Sequence, residues 1–421
     1  MRYDSLIRGG RVIDPANSID GDFDVALSDG VIAAVAPPGS IAEADCGEVF
    51  DATGLLVMPG LVDAHAHGFK GIGFGQVDFD EQCLSRCTTT VVDAGSSGCN
   101  SFSGFREYII DPAECRVLAL LNISMLGCTS LAQPAQVDPK TGKVSGGRKA
   151  GEFGGTGGHN QSMAYISAAD AISVIEENRD VIVGVKCLLT RQISGPNGEN
   201  EPATYAAAQE AASATGLPLM AHHSWSTIPL EECPGNLRPG DIYTHCFHPY
   251  DSTIMQLDSS GQPTIGRTGE DGVVKPAGTS TSSSNPPSSA IHPAVWEAKR
   301  NGVLFDIGFG RGSFSWPVAE QCWKEGFAPD IISTDIWSTT HTVRELPLFL
   351  LPVNSCATMQ YVVSRPPQPA RCVAGTVLRS ALSHDADALC RHASTCCRTR
   401  VDPHPRGGHR LGRQDRNHGR R

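Results

Sequence analysis

Short apolar runs that end on small or polar residues recur through the chain: Leu61–His67, Thr89–Gly95, Arg116–Ser124, Val181–Cys187, Leu217–His222, Asp241–Cys246, Val303–Gly308 and Asp330–Asp335. Runs of this length, bounded by turn residues, read as strands buried on both faces. Between most of them lies a stretch suited to one helix. Ala168–Asn178, for example, places Ala168, Ala171, Ile172 and Ile175 on one side before Glu176 and Glu177. Strands alternating with helices predict an α/β fold with a parallel sheet, and eight such units predict a (β/α)8 TIM-type barrel whose strand C-termini share one face.

Ahead of the barrel pattern, residues 3–58 alternate short strands with turn signals. Ser5–Arg8 is followed by Gly9-Gly10, Arg11–Ile13 by Asp14-Pro15, and Val25–Leu27 by Ser28-Asp29-Gly30, before Val31–Val35. This reads as a meander of hairpins that needs a partner surface, hence a small β domain. Two inter-strand intervals exceed a simple βα unit. The one after Ser124 is rich in paired glycines (146–147, 154–155, 157–158), and the one after Cys246 contains the polar run Gly278–Ser289, which predicts a flexible loop.

Composition changes the picture mainly at the C-terminal end. Residues 1–342 hold 21 Lys and Arg against 40 Asp and Glu, net −19, whereas residues 343–421 hold 13 Arg, no Lys and 5 acidic residues, net +8. An acidic body argues against nucleic acid as its partner, because phosphate binding needs a positive field. No long apolar N-terminal segment and no run of eighteen apolar residues occur, so the expectation is a cytoplasmic protein without a membrane partner. The fifteen cysteines are scattered without zinc-ribbon spacing, and even Cys83 and Cys87, four apart, read as reduced thiols. The sequence leaves homo-oligomerisation open.

Candidate chemistry gathers at the strand ends. His65 and His67 lie two apart on one strand and so face the same way. Lys186 sits inside the apolar Val181–Leu189, where an ammonium group is costly to bury and needs a partner or a reaction. Only one of the adjacent His222 and His223 can face into the barrel. His245 ends the sixth strand with His248 beyond it, and Asp335, which could also be a helix cap, ends the eighth. Imidazoles and carboxylate without thiolate suit a catalytic Zn2+ or Mn2+ site. The loop Gly308–Trp316 lacks the ending of a phosphate loop, and its Arg311 is a candidate for holding a substrate carboxylate.

The string Pro59-Gly-Leu-Val-Asp-Ala-His65-Ala-His67, with Gly184-Val-Lys186, Thr244-His245 and Ser333-Thr-Asp335, resembles the amidohydrolase superfamily, in its deacetylase and dihydroorotase-like branch, over residues 3–342. The resemblance implies a binuclear metallohydrolase. His65, His67, Lys186 and Asp335 would hold one divalent ion, and Lys186, His222 and His245 the other, with Lys186 carboxylated by carbon dioxide to bridge the two. It further implies that a metal-bridged hydroxide attacks a small-molecule amide or ester, and that Asp335 carries the proton to the leaving group. Deacetylation is the leading expectation and cyclic amide hydrolysis of dihydroorotase or hydantoinase type the alternative. A non-catalytic scaffold is the alternative of another class. Phe309 stands where that branch often carries a histidine, which bears on the substrate and not on the metal set.

These readings divide the chain into a small β domain over 1–59, a metal-dependent barrel over 60–342 and an atypical Arg/Pro/Cys-rich tail over 343–421. The family's returning β strands are not evident in the tail. Its abrupt composition reads as a frame-shifted or disordered segment, leaving the N-terminal β-sandwich incomplete.

Overall fold

The structure is a computed structural model that describes residues 3–73, 75–131, 136–137, 144–145, 157–257, 267–268, 274–275, 289–310 and 312–337, together with the backbone of 376–379. Arg311 and most of the two long inserts lie outside the described residues. The chain divides into two compact units between Val57 and Met58.

In the first unit, Tyr3–Asp14 is the central strand. It runs antiparallel to Ile19–Ser28 and parallel to Cys46–Asp51 and Leu55–Met58, while Ile19–Ser28 also pairs with Val31–Ala36. Asp29 and Gly30, both at positive φ, form the tight turn into Val31–Ala36. Gly9-Gly10, expected as a turn, is instead an irregularity inside one continuous strand. Gly9 takes φ +71° and donates its N–H to Asp24 Oδ1 at 2.8 Å, after which pairing resumes at Gly10 opposite Phe23. Ile7, Val12, Val25, Ala52 and Val57 form the unit's core. A four-residue strand, Thr376–Arg379, borders Leu55–Met58 in this sheet; the sequence pattern did not anticipate it.

The second unit is built on seven parallel strands. Their spatial order follows the chain: Leu61–Ala66, Thr88–Gly98, Arg116–Asn122, Ile182–Leu189, Leu219–His223, Ile242–Thr244 and Leu304–Phe305. The eighth position is filled by residues 331–336. Ile331 bridges to Asp306 beyond the seventh strand and Ile336 bridges to Ala66 of the first, both in parallel, so the sheet curls round and closes. Two further bonds seal the join: Phe309 N–H to Ser333 O at 3.2 Å and Asp335 N–H to His65 O at 2.7 Å. The seven strands and the closing segment fall where the apolar runs predict them.

Helix Ala168–Glu177 shows how the sequence fixes an outer element. Ser167 caps it by accepting from Asp170 N–H at 3.2 Å, and Ala168, Ala171 and Ile175 are the buried face. Helix Glu201–Thr215 starts with Pro202 in its first turn and stops at Gly216 in the left-handed conformation. Together these helices and the strands enclose one apolar core running from Ala66 to Phe327. Among the described residues no helix is long and apolar enough to cross a membrane.

Candidate metal centre

Six side chains from five strand ends meet where the barrel opens. His65 and His67 leave the first strand, Lys186 the fourth, His222 the fifth, His245 the sixth, and Asp335 the closing segment. Nitrogen and oxygen atoms of His65, His67 and Asp335 lie within 4.8 Å of one another. Asp335 Oδ1 stands 3.5 Å from His65 Nε2 and 3.2 Å from His67 Nε2. Lys186 Nζ is 3.1 Å from His65 Nε2, and His222 Nδ1 is 3.1 Å from His245 Nε2.

The outward nitrogens of these imidazoles are engaged by protein groups. His65 Nδ1 lies 3.0 Å from Thr244 Oγ1 and 3.3 Å from Asp306 Oδ2. The Thr244 hydroxyl already donates to Asp306 at 2.7 Å, so His65 Nδ1 carries the proton and Nε2 presents a lone pair to the centre. His245 Nδ1–H donates to Gly308 O at 2.7 Å, which turns Nε2 inward. Ser224 Oγ meets His222 Nε2 at 2.6 Å, leaving Nδ1 toward His245, and Ser96 Oγ lies 3.0 Å from His67 Nδ1. This is the pattern of metal ligands whose far nitrogen is oriented by a protein partner. Burial pushes His65 and His222 well below the usual histidine range and His245 down to about 4, so these rings are neutral and able to ligate.

His223 faces the other way, as the alternation of a strand requires. Its ring bonds to Tyr243 Oη at 2.9 Å and to Ile228 O at 2.8 Å. His248 is buried beyond the sixth strand and stacks on Tyr250.

Lys186 is 1% exposed, and its amine finds Met220 Sδ at 3.3 Å besides His65. Burial lowers its pKa, which favours the neutral amine. Gly95 makes room for it. At φ +89° any Cβ there would come within 2.7 Å of Lys186 Cγ. Gly310 does the same for Asp335, since a Cβ would lie 2.1 Å from Oδ2. Asp335 itself sits at φ +47° and His245 at φ +60°, left-handed backbone held by the surrounding contacts.

Sequence reasoning passed over the supporting carboxylates. Asp306 is fully buried, accepts from Ser333 Oγ at 2.6 Å as well as from Thr244, and is pushed up to about 6 by burial. Asp93, also fully buried, accepts from Ser96 N–H at 2.7 Å and Gly68 N–H at 2.9 Å, fixing the loop that follows the two histidines. Asp63 accepts from His65 N–H at 3.2 Å and from both the N–H and hydroxyl of Thr334. The signal for all three was a lone carboxylate in an apolar strand, the anomaly that singled out Lys186.

No family model matches the chain. It is 28% identical over 337 residues to a deacetylase of Enterococcus faecalis, covering 80% of this chain and 74% of that one. It is 28% identical over 309 residues to the deacetylase Atu3266 of Agrobacterium fabrum, covering 73% and 61% respectively. The chain therefore spans about three fifths to three quarters of the length of these relatives. Two solved structures, described as an adenine deaminase and a dihydroorotase, are each 26% identical to it and superpose with TM-scores of 0.60 and 0.59, over 80% of this chain and 73% of theirs. The barrel, the His65–His67–Asp335 cluster and the sequence similarity together support an amidohydrolase-type metallohydrolase.

Proposed function

We propose that the protein hydrolyses the acyl C–N or C–O bond of a small amide or ester, as a deacetylase, with two divalent cations, zinc foremost, in the centre. The observation that carries this reading is the set of inward-facing atoms. Four imidazole nitrogens, one carboxylate and one buried amine converge with their outer partners in place, and the donor chemistry fits Zn2+ without any thiolate. Cations bound there lower the pKa of water and polarise a carbonyl oxygen.

The chain's own residues supply the rest. Lys186, sheltered and with its charged form disfavoured by burial, is suited to add carbon dioxide at Nζ, forming an N–C bond and releasing one proton. The resulting carbamate would supply oxygen donors that, with His65, His67, Asp335, His222 and His245, would hold the cations. Asp335, within 3.5 Å of both first-strand histidines, would hold the proton taken from the attacking water and deliver it to the leaving nitrogen or oxygen. Cyclic amide hydrolysis is the second reading, supported by the likeness to a dihydroorotase structure. We further propose a cytoplasmic setting, a small-molecule substrate and no nucleic-acid partner for the acidic body.

Elemental analysis of protein expressed with zinc, joined to a screen of N-acetyl amino acids, O-acetyl hydroxy acids and cyclic amides, tests this. Close to two metals per chain and turnover of acyl compounds are expected. A folded protein that binds no metal would overturn the reading.

A further inference from the structure

At the same end of the barrel as the six residues lies a buried imidazole that the chemistry above leaves without a task. His159 is 4% exposed, and its Nδ1 is buried with no hydrogen-bond partner among the described residues. Buried histidines normally satisfy both nitrogens, as His223 does here. His159 is also firmly placed. Its carbonyl accepts from Ser124 Oγ at 2.8 Å, and the next residue, Asn160, bonds through its N–H to Ile193 O at 3.1 Å and through Nδ2 to Leu188 O at 2.6 Å. These anchors lie at the C-terminal ends of the third and fourth strands, the end of the barrel where the metal centre opens.

The backbone of His159 is left-handed, φ +43°, a conformation that histidine and asparagine adopt more readily than most residues. Strain of this kind persists where surrounding contacts dictate an orientation. Burial holds His159 down to about 4, with a smaller contribution from nearby His67, so it is neutral with one N–H to donate. His159 is not one of the clustered ligands, which among the described residues are His65, His67 and Asp335.

Ser97 Oγ is also buried without a partner among the described residues, and Ser97 follows Ser96, the residue that meets His67 Nδ1. Gly98 then packs so closely on Ser124 that a Cβ would lie 1.8 Å from its carbonyl oxygen.

We propose that His159 is a substrate-binding residue whose ring donates an Nδ1–H hydrogen bond to an oxygen of the acyl compound at the mouth of the metal centre. The proposal rests on the hydrolase reading above.

The test uses the full chain loaded with zinc, with turnover of N-acetyl amino acids and O-acetyl hydroxy acids as one readout and calorimetric binding of monoethyl methylphosphonate, a tetrahedral anion, as the other. His159→Asn keeps an amide donor near the place of Nδ1 and suits the left-handed backbone, whereas His159→Gln carries its donor further out, near the place of Nε2. Both variants are expected to hold wild-type metal. His159→Gln should raise KM and the phosphonate Kd on the order of tenfold with a smaller effect on kcat, and His159→Asn should stay within about threefold of wild type. Equal behaviour of the two variants, whether both near wild type or both losing metal and binding together, would overturn the proposal. A wild-type protein that turns over nothing, but whose phosphonate binding His159→Gln still weakens, would remove the hydrolase reading and leave the role of His159 standing. Neither turnover nor phosphonate binding in wild type would overturn both.

Discussion

Asp306 stands behind His65: its Oδ2 lies 3.3 Å from the ring's Nδ1 while Thr244 donates to the same oxygen at 2.7 Å. The carboxylate sets which nitrogen of His65 faces the centre. Removing a partner of this kind costs about 10- to 100-fold in metal affinity. Asp306→Ala should therefore fold and lose zinc to a chelator at concentrations that leave wild type loaded, which competition titration would measure. Unchanged affinity would show that His65 is oriented by Thr244 alone.

Lys186 is expected to be the point at which carbon dioxide acts. Its amine is buried with an imidazole and a thioether as neighbours, so the charged form is disfavoured and the neutral form is available to react. In 13C-bicarbonate the zinc-loaded protein should show a carbamate carbon resonance that is absent in Lys186→Ala, and the variant should hold about one metal fewer. Acetate at high concentration should restore part of that metal. A variant with the full metal complement would exclude a bridging role.

For Asp335 the expected separation is between binding and chemistry. Asp335→Asn keeps an oxygen for the cation but cannot take a proton, and losing a positioned proton carrier slows reactions about 100- to 10,000-fold. Turnover should fall by at least about 100-fold with metal largely retained. Full turnover by the metal-loaded variant would refute the assigned proton role.

Gly95→Ala tests the space beside Lys186. A Cβ at φ +89° meets Lys186 Cγ at 2.7 Å and Cβ at 2.8 Å. Backbone strain together with displacement of the lysine should cost about 2 kcal/mol and lower metal content, seen as a drop in Tm and in zinc per chain. An unaltered Tm would mean that the strand shifts to accommodate the methyl group.

The pH dependence of stability isolates His223. Burial holds its folded pKa to about 4, against about 6.5 in the unfolded chain. Between these values the unfolded state binds the extra proton, so stability is full above pH 6.5 and falls as the pH drops toward 4, by about 3 kcal/mol in all. Asp306 and Asp63, both pushed up to about 6, act in the opposite sense over the same window. Denaturant titrations of wild type and His223→Gln across pH 4–7 separate the terms: their stability difference should narrow as the pH falls. A constant difference would assign His223 the same proton affinity folded and unfolded.

The barrel was legible because its strands are short apolar runs at regular intervals, and five of the strand ends carry residues whose burial demands an explanation. Lys186 in an apolar strand and the His65–His67 spacing marked the opening of the barrel directly. Two kinds of information were not legible. Gly9-Gly10 looked like a turn, because a dipeptide cannot show that Asp24 across the sheet accepts the Gly9 N–H and keeps the strand going. Asp306 and His159 acquire meaning only through partners far away in the chain, His65 for one and Ser124 with His67 for the other. The expectation for Arg311 falls outside the described residues, as do those for the Ser-rich insert and most of the tail.

The join between Asp335 and His65 has a consequence for biosynthesis. These two residues are 270 positions apart and meet only when the last segment bonds to the first strand. During translation the histidine pair emerges early, but its carboxylate partner is still unmade, and a contact this distant forms late in folding. A partly synthesised chain lacks the carboxylate that completes this end of the centre. Metal capture by these residues would thereby be coupled to ring closure, and a cation held by both ends of the barrel would act as a clasp on the finished fold.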